Sequence, residues 1–204
     1  MIIKVCGMRH AHNIAAVEPL AHYMGFIFYP RSPRYVSAQP EYLPEKSRRV
    51  GVFVNATDAE IDQRIADYNL GAVQLHGNET NDDCLRLKDR HPHIEVIRAI
   101  SISTPADIDK ATTYTHADTL LFDTKTTAYG GSGRTFDWSL LTHYQGSKPF
   151  LLSGGISPDH AHRLRTFTHP MLRGYDLNSR FELSPGLKDP EALRHFITSI
   201  TNDK

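Results

Sequence analysis

Short runs of apolar residues recur along the chain, and longer stretches with apolar positions at helical spacing separate them. Each run has the length of a buried strand and is bounded by turn-forming residues. The predicted strands are residues 2–6, 24–28, 50–54, 72–75, 94–99, 119–123, 150–153 and 172–176. This alternation predicts strand–helix units with parallel strands rather than hairpins.

The intervening stretches predict helices at residues 13–20, 58–68, 80–91, 105–111, 138–143, 158–166 and 190–200. Three of them begin with a capping residue and a proline, at Thr104-Pro105, Ser157-Pro158 and Asp189-Pro190. Proline in the first helical turn loses no hydrogen bond, so these pairs indicate helix starts. Residues 29–45 contain four prolines and predict a loop with at most a short helix.

About eight parallel strands in 204 residues predict one domain, residues 1–204, folded as a closed (β/α)8 (TIM) barrel in the α/β class. The helix after the second strand is expected to be short or absent. A doubly wound open sheet is the alternative. Its first strand would usually lead into G-x-G-x-x-G, and that motif is absent after Val5.

Chemically useful residues stand where the predicted strands end. Cys6 ends the first strand, His76 follows the fourth, and Asp123 ends the sixth ahead of a glycine-rich loop at 129–134. Gly154-Gly155 follows the seventh strand. Because the carboxyl ends of parallel strands share one edge of a barrel, these positions predict one common pocket.

The charge balance narrows the range of partners. Lysine and arginine total 23, as do aspartate and glutamate, so the net charge of +0 predicts no general attraction to nucleic acid or an anionic membrane. Two cysteines are too few for a disulfide framework, and no apolar run approaches the roughly 18 residues of a membrane span. The chain starts directly with a strand rather than a signal segment, so we expect a cytoplasmic protein. We also expect a monomer rather than a homodimer.

Several motifs occur in order along the whole chain. They are Lys4-Val5-Cys6-Gly7, Gly25-Phe26-Ile27-Phe28, Ser32-Pro33-Arg34-Tyr35-Val36, Gln74-Leu75-His76-Gly77, Leu152-Ser153-Gly154-Gly155 and Ser184-Pro185-Gly186-Leu187-Lys188-Asp189. Together they resemble the phosphoribosylanthranilate isomerases of tryptophan biosynthesis, which are single-domain (β/α)8 barrels. One departure is Arg180, which stands where that family usually has glycine.

The resemblance implies a cofactor-free Amadori rearrangement of an N-linked aminoaldose phosphate to an aminoketose. This chemistry needs an acid that protonates the ring oxygen and a base that removes the proton on the second sugar carbon. The resemblance assigns Asp123 as general acid and Cys6 as general base. We expect burial to keep Asp123 protonated, and we expect Lys4 or nearby amides to favour the Cys6 thiolate.

The resemblance also implies the substrate contacts. The phosphate is expected at Gly154 and Gly155, with the dipole of the helix after Ser157-Pro158, and at Asp176, Asn178, Ser179 and Arg180. Arg34 is assigned to the anthranilate carboxylate because guanidinium and carboxylate pair in two parallel hydrogen bonds. His76 is expected to line the same pocket. The loops at 29–36 and 124–134 are expected to form a lid.

Other interpretations of the same residues remain open. Apart from the resemblance, Cys6 is typical of a small buried apolar residue, and Asp123 of a turn. A metal-dependent sugar-phosphate epimerase needs paired histidine and acidic ligands, yet only His76 and Asp123 are suitably placed, and no H-E-x-x-H motif is present, so we expect no metal site. A non-catalytic phosphate-binding module that uses Asp123 as phosphate acceptor is the third alternative.

Overall fold

A closed barrel of parallel strands forms the centre of the computed structural model, which describes residues 1–124 and 137–201. Its strands are β1 (Ile2–Cys6), β2 (Tyr23–Ile27), β3 (Arg48–Phe53), β4 (Ala72–Leu75), β5 (Glu95–Ile102), β6 (Thr119–Thr124), β7 (Phe150–Leu152) and β8 (Leu172–Leu177). Each strand pairs with the next in sequence, and β8 pairs with β1 with Asp176 opposite Lys4. The predicted barrel is confirmed, and the open sheet is wrong because the first and last strands are hydrogen bonded.

The helices are α1 (Ala11–Val17), α2 (Asp58–Tyr68), α3 (Asn81–Arg90), α4 (Pro105–Ala111), α5 (Ala161–Thr166) and α6 (Pro190–Thr201). Short 3-10 helices span Glu18–Leu20, Trp138–His143, Pro158–His160 and Ser179–Phe181. The predicted helix at 138–143 is therefore a 3-10 helix, and the one at 158–166 has a 3-10 first turn. None of the described helices combines the length and the apolar character that a membrane-spanning segment needs.

The connection between β2 and β3 has no helix, as its prolines predict. It is tied to the barrel by hydrogen bonds from the amide of Phe28 to the carbonyl of Val52 and from the amide of Val36 to the carbonyl of Ile27. Both Phe28 and Val36 are buried. This loop therefore packs on the sheet in place of the missing helix.

A small antiparallel hairpin follows β8, where the sequence predicted only a loop. It consists of β9 (Glu182–Ser184) and β10 (Leu187–Lys188), and Gly186 in its turn has φ +85°. The amide side chain of Asn13 in α1 clamps the backbone of Lys188, with hydrogen bonds of 2.9 and 2.8 Å. Strands of two or three residues carry little periodic signal, which is why the hairpin was missed.

Alternation along the strands divides the core into two layers. Strand residues that face the helices form one large cluster with apolar helix residues such as Ile14, Ile61 and Leu87. The smaller cluster contains strand residues alone and fills the barrel interior, with members Tyr23, Val50, Ala72, Ile97, Ala99, Leu121 and Leu151. The barrel is thus a packed core whose free edge at the strand carboxyl ends is available for chemistry.

A charged network closes the opposite edge, where the strands begin. The Glu95 carboxylate accepts hydrogen bonds from the Tyr23 hydroxyl at 2.7 Å, from the Thr119 hydroxyl at 2.8 Å and from Arg48 at 2.6 Å. Burial alone would raise the pKa of Glu95, but hydrogen bonds from Tyr23 and Thr119 and the charge of Arg173 lower it. This edge therefore stabilises the fold rather than serving catalysis.

Removal of the Thr57 cap is expected to destabilise the protein modestly. The Thr57 hydroxyl accepts the amide of Glu60, and the Glu60 carboxylate accepts the amide of Thr57, which is a complete capping box for α2. We expect Thr57→Ala to lower the free energy of unfolding by about 1 kcal/mol in urea denaturation. Exposed Thr113, whose hydroxyl donates only to the Lys110 carbonyl, supplies the control Thr113→Ala. An equal effect of both changes would contradict the prediction.

Candidate active site

The predicted residues Cys6, His76 and Asp123 all lie at the carboxyl edge of the barrel. Cys6 ends β1, Asp123 lies one residue before the end of β6, and His76 directly follows β4. The strand order places β7 and β8 between Asp123 and Cys6, so the two side chains belong to opposite parts of one rim. The glycine-rich loop at 129–134 and most of the predicted lid segment 124–134 lie outside the described residues.

His76 and Asp123 are in contact. His76 Nε2 lies 3.3 Å from Asp123 Oδ2, and both side chains are mostly buried. The amide nitrogen of Gln74 lies 2.8 Å from His76 Nδ1. An amide nitrogen can only donate, so in this arrangement Nδ1 is the acceptor and Nε2 faces the carboxylate. The second oxygen, Asp123 Oδ1, accepts the Thr124 amide at 2.8 Å.

A buried ion pair holds the loop that carries His76. Arg98 donates to the carbonyls of Leu75 at 2.7 Å and of Gly77 at 2.9 Å, on either side of His76. Glu79 lies 3.4 Å from the Arg98 guanidinium and accepts the amide of Gly77 at 2.7 Å. Sequence reasoning noticed neither charged residue as part of the site. The available signal was the placement of Arg98 directly between the apolar pairs Val96-Ile97 and Ala99-Ile100 of a strand.

Cys6 is buried and packs closely against β2. A Cβ placed at Gly25 would lie only 2.8 Å from the Cys6 Sγ. Burial raises the pKa of the Cys6 thiol, and the Asp176 charge raises it further, whereas Lys4 and Lys188 lower it. The net direction is upward. Lys4 therefore acts in the expected direction, towards the thiolate, but desolvation outweighs the ammonium charge.

Asp176 has a different setting from the one expected for a phosphate contact. Its carboxylate accepts the Lys4 ammonium at 2.8 Å and the Ser153 hydroxyl at 3.2 Å, and both charged side chains are buried. A carboxylate repels phosphate, and this one is already paired inside the barrel. The Asp176 side chain is thus engaged with Lys4 and Ser153 beneath the rim, and its assignment to the phosphate stays a prediction.

The other predicted phosphate residues surround the ends of β7 and β8. Gly154 and Gly155 have φ values of +87° and +66°, and a Cβ at Gly154 would lie 2.3 Å from Thr124 Oγ1. Glycine is thus required for β7 to approach the end of β6. The amides of Gly154 and Gly155 donate to no acceptor within residues 1–124 and 137–201. The expected helix dipole is weak, because a single 3-10 turn leads into a six-residue helix.

The loop after β8 is organised by the 3-10 helix Ser179–Phe181, with Asn178 as its first flanking residue. Asn178 Oδ1 accepts the ammonium of Lys188 at 2.8 Å, so this side chain is engaged with the protein. Arg180 is exposed. Its charge lies close enough to His160 to help lower the pKa of that ring, after the larger effect of burial.

Arg34 is buried and already holds a carboxylate of the protein. Its guanidinium makes a bidentate pair with Glu182, with contacts of 2.9 and 2.6 Å. A substrate carboxylate would have to share this guanidinium or displace Glu182. The sequence placed Arg34 at the rim, but it did not indicate a partner 148 residues away.

The sequence model of the N-(5'phosphoribosyl)anthranilate (PRA) isomerase family matches residues 3–199. The N-(5'-phosphoribosyl)anthranilate isomerase of Parabacteroides distasonis is 49% identical over 210 residues, covering 98% of this chain and 93% of that protein. The chain belongs to the N-(5'-phosphoribosyl)anthranilate isomerase family. This membership decides against the metal-dependent epimerase and the non-catalytic phosphate-binding module.

Solved structures of phosphoribosyl anthranilate isomerases share the fold. One, described as monomers generated from the dimeric enzyme of Thermotoga maritima, is 31% identical with a TM-score of 0.80, covering 99% of this chain and all of that chain. Another holds reduced 1-(o-carboxyphenylamino)-1-deoxyribulose 5-phosphate and is 31% identical with a TM-score of 0.81, again over 99% of this chain and all of that one. The expected relationship to phosphoribosyl anthranilate isomerases is confirmed.

Proposed function

We propose that Cys6 and Asp123 carry out the isomerisation that defines this family, the conversion of N-(5'-phosphoribosyl)anthranilate to 1-(2-carboxyphenylamino)-1-deoxyribulose 5-phosphate in tryptophan biosynthesis. The supporting observation is that a thiol and a carboxyl group from distant segments lie on one rim, with the β7 and β8 loops between them. A pentose placed over this rim would have the acid on one side and the base on the other.

The proposed roles of Asp123 and Cys6 are the first two proton transfers of the reaction. Asp123 donates a proton to the furanose ring oxygen as the C1–O bond breaks, and the lone pair of the anthranilate nitrogen forms the C=N bond of an open-chain iminium ion. The Cys6 thiolate then removes the proton on C2, and the C–H electrons form an enol-amine. This intermediate becomes the ketose when C1 gains a proton and the C2 hydroxyl loses one. Both steps are general acid–base catalysis. His76, held by Gln74, orients the Asp123 carboxyl group through the 3.3 Å contact.

The phosphate is assigned to the amides of Gly154 and Gly155 and to the loop of Asn178, Ser179 and Arg180. Backbone N–H groups in positive-φ glycines form concave anion sites without a net positive charge on the protein. The neighbour that holds a ribulose 5-phosphate derivative supports a phosphosugar in this fold. Arg34 is assigned to the substrate carboxylate, with Glu182 as the residue that aligns the guanidinium before substrate enters.

The direct test uses the purified chain and freshly prepared N-(5'-phosphoribosyl)anthranilate. We expect a fluorescence change that depends on enzyme concentration, with formation of the ketose checked by chromatography because substrate and product have equal mass. Addition of a chelator should leave the rate unchanged. No ketose at high enzyme concentration would contradict the proposed function.

The effect of Arg180 tests the phosphate assignment. We expect Arg180→Gly to raise KM by about two- to fivefold with little change in kcat, because an exposed charge contributes modestly to anion binding. Arg194→Ala, at an exposed arginine in α6, is the control and should leave KM unchanged. An unaltered KM for Arg180→Gly would remove this residue from the phosphate site.

We also propose that residues 1–204 form one domain, a monomer in the cytoplasm. The pairing of β1 with β8 supports the single domain, because it joins the first and last strands in one closed barrel. A free thiol at Cys6 supports a reducing compartment, since oxidation would abolish the proposed base. Light scattering coupled to gel filtration measures the mass, and a dimer, as in Thermotoga maritima, would contradict the monomer.

A further inference from the structure

Five buried charged side chains lie close to the Cys6–Gly7 segment, where β1, β8, the β9–β10 hairpin and the β2–β3 loop come together. This buried-charge cluster consists of Lys4, Arg34, Asp176, Glu182 and Lys188. None of the five side chains is more than 9% exposed, and those of Lys4 and Lys188 are completely buried. Burial of charges is costly unless they are paired, so the charge balance of the cluster constrains its chemistry.

The cluster has one more cation than carboxylates. Lys4 pairs one-to-one with Asp176 at 2.8 Å. Glu182 is shared, because it accepts Arg34 at 2.6 Å and Lys188 at 2.5 Å. One carboxylate therefore faces two cations. A single additional negative charge at this place would make the cluster neutral.

Lys188 is held rigidly next to the Cys6 segment. Its backbone is clamped on both sides by Asn13, and its ammonium donates to Asn178 Oδ1 at 2.8 Å. The same Asn178 oxygen lies 3.0 Å from the position that a Cβ of Gly7 would occupy, directly after Cys6. Consistent with this placement, the Lys188 charge lowers the pKa of Cys6, although burial has the larger and opposite effect.

We propose that Lys188 is a positioning residue that stabilises the Cys6 thiolate, and that this thiolate is the anion that neutralises the buried-charge cluster. The inference rests on the proposed role of Cys6 as the base. Within residues 1–124 and 137–201, the charged groups that act on Cys6 include Lys4 of β1, Asp176 of β8 and Lys188 of β10, and β2 presents Gly25 to its Sγ. Asp176 offsets Lys4, and Glu182 is shared by Arg34 and Lys188, so the excess positive charge lies on these last two residues. Of the two, Lys188 is the one whose charge acts on Cys6.

The experiment measures the titration midpoint of Cys6 without substrate. Thiolate formation is followed by ultraviolet absorbance in Cys84→Ala protein, with Cys84→Ala/Cys6→Ser protein subtracted as the reference. We expect Lys188→Met to raise the midpoint by about one pH unit or more, because it removes a nearby opposite charge. Lys188→Arg keeps the positive charge, so its Cys6 midpoint should lie close to that of the protein with Lys188. Lys110→Met, at an exposed lysine of α4, is the control and should change nothing.

A second variant is expected to shift the Cys6 titration midpoint in the opposite direction. Glu182→Gln removes the carboxylate that offsets Lys188, so the Cys6 midpoint should fall. This variant keeps the proposal testable if Lys188→Met fails to fold. The acid limb of kcat/KM should move in the same direction as the thiol midpoint in each variant. Loss of packing alone would not produce shifts of opposite sign.

Unchanged midpoints in Lys188→Met and Glu182→Gln would overturn the proposal. So would a higher KM for Lys188→Met with an unaltered midpoint, since the excess cation would then serve a substrate anion. The titration uses no substrate, so its outcome is separate from the proposed function. Failure of that function would instead appear as full turnover in Cys6→Ser protein.

Discussion

We expect Asp123→Asn and Cys6→Ser each to lower kcat by about 10²- to 10⁴-fold, the range that a positioned acid or base contributes. KM should change little, because the phosphate and carboxylate contacts are assigned to other residues. An amide at position 123 cannot protonate the ring oxygen, and a hydroxyl at position 6 is a far weaker base than a thiolate. The measurement is the fluorescence assay under saturating substrate.

Matched controls separate chemistry from folding. Cys84→Ser changes the second buried cysteine, which lies on α3 and has no assigned role in the reaction, and Asp109→Asn changes an exposed aspartate of α4. We expect near-normal kcat in Asp109→Asn, and at most reduced stability with normal kcat per folded molecule in Cys84→Ser. Retained turnover in both Asp123→Asn and Cys6→Ser would refute the assignment of acid and base.

Lys4→Met is expected to cost about 3–5 kcal/mol of unfolding free energy, because it leaves Asp176 as an unpaired buried charge. The double variant Lys4→Met/Asp176→Leu should recover much of this loss, since no uncompensated charge remains. Urea denaturation of the two single variants and the double variant gives the coupling between the residues. Additive effects would show that the pair does not act as a unit.

A partly exposed ion pair provides the comparison. Lys88 contacts Asp118 at 2.8 Å, and these side chains are 29% and 38% exposed, so Lys88→Met should cost at most about 1 kcal/mol of unfolding free energy.

The dependence of stability on alkaline pH gives a further check on the Lys4–Asp176 pair. Burial lowers the pKa of Lys4, but Asp176 and Cys6 raise it more, to above its ordinary 10.5. Stability from Lys4 is therefore fully present at neutral pH and is lost as the pH rises through the folded-state value.

The β2–β3 loop and the helix starts show how far local patterns reach. Prolines predict the absence of a helix between β2 and β3, because they lack the N–H that a helix interior needs. The starts of α4 at Pro105 and of α6 at Pro190 were predictable for the same reason, because the first helical turn does not need the N–H that proline lacks. The location of the Asp123 carboxylate and the His76 imidazole at one edge of the barrel was likewise predictable, since parallel strands must end at a common edge.

By itself, the order of apolar runs, prolines and strand-end residues determined the barrel, its helix-free connection and the position of Cys6, His76 and Asp123 on one rim. Only the tertiary structure decided that Asp176 pairs with Lys4 and that Glu182 is shared by Arg34 and Lys188. Local periodicity reports which face of an element is buried. It carries no information on which charges, up to 172 residues apart, meet once the barrel closes.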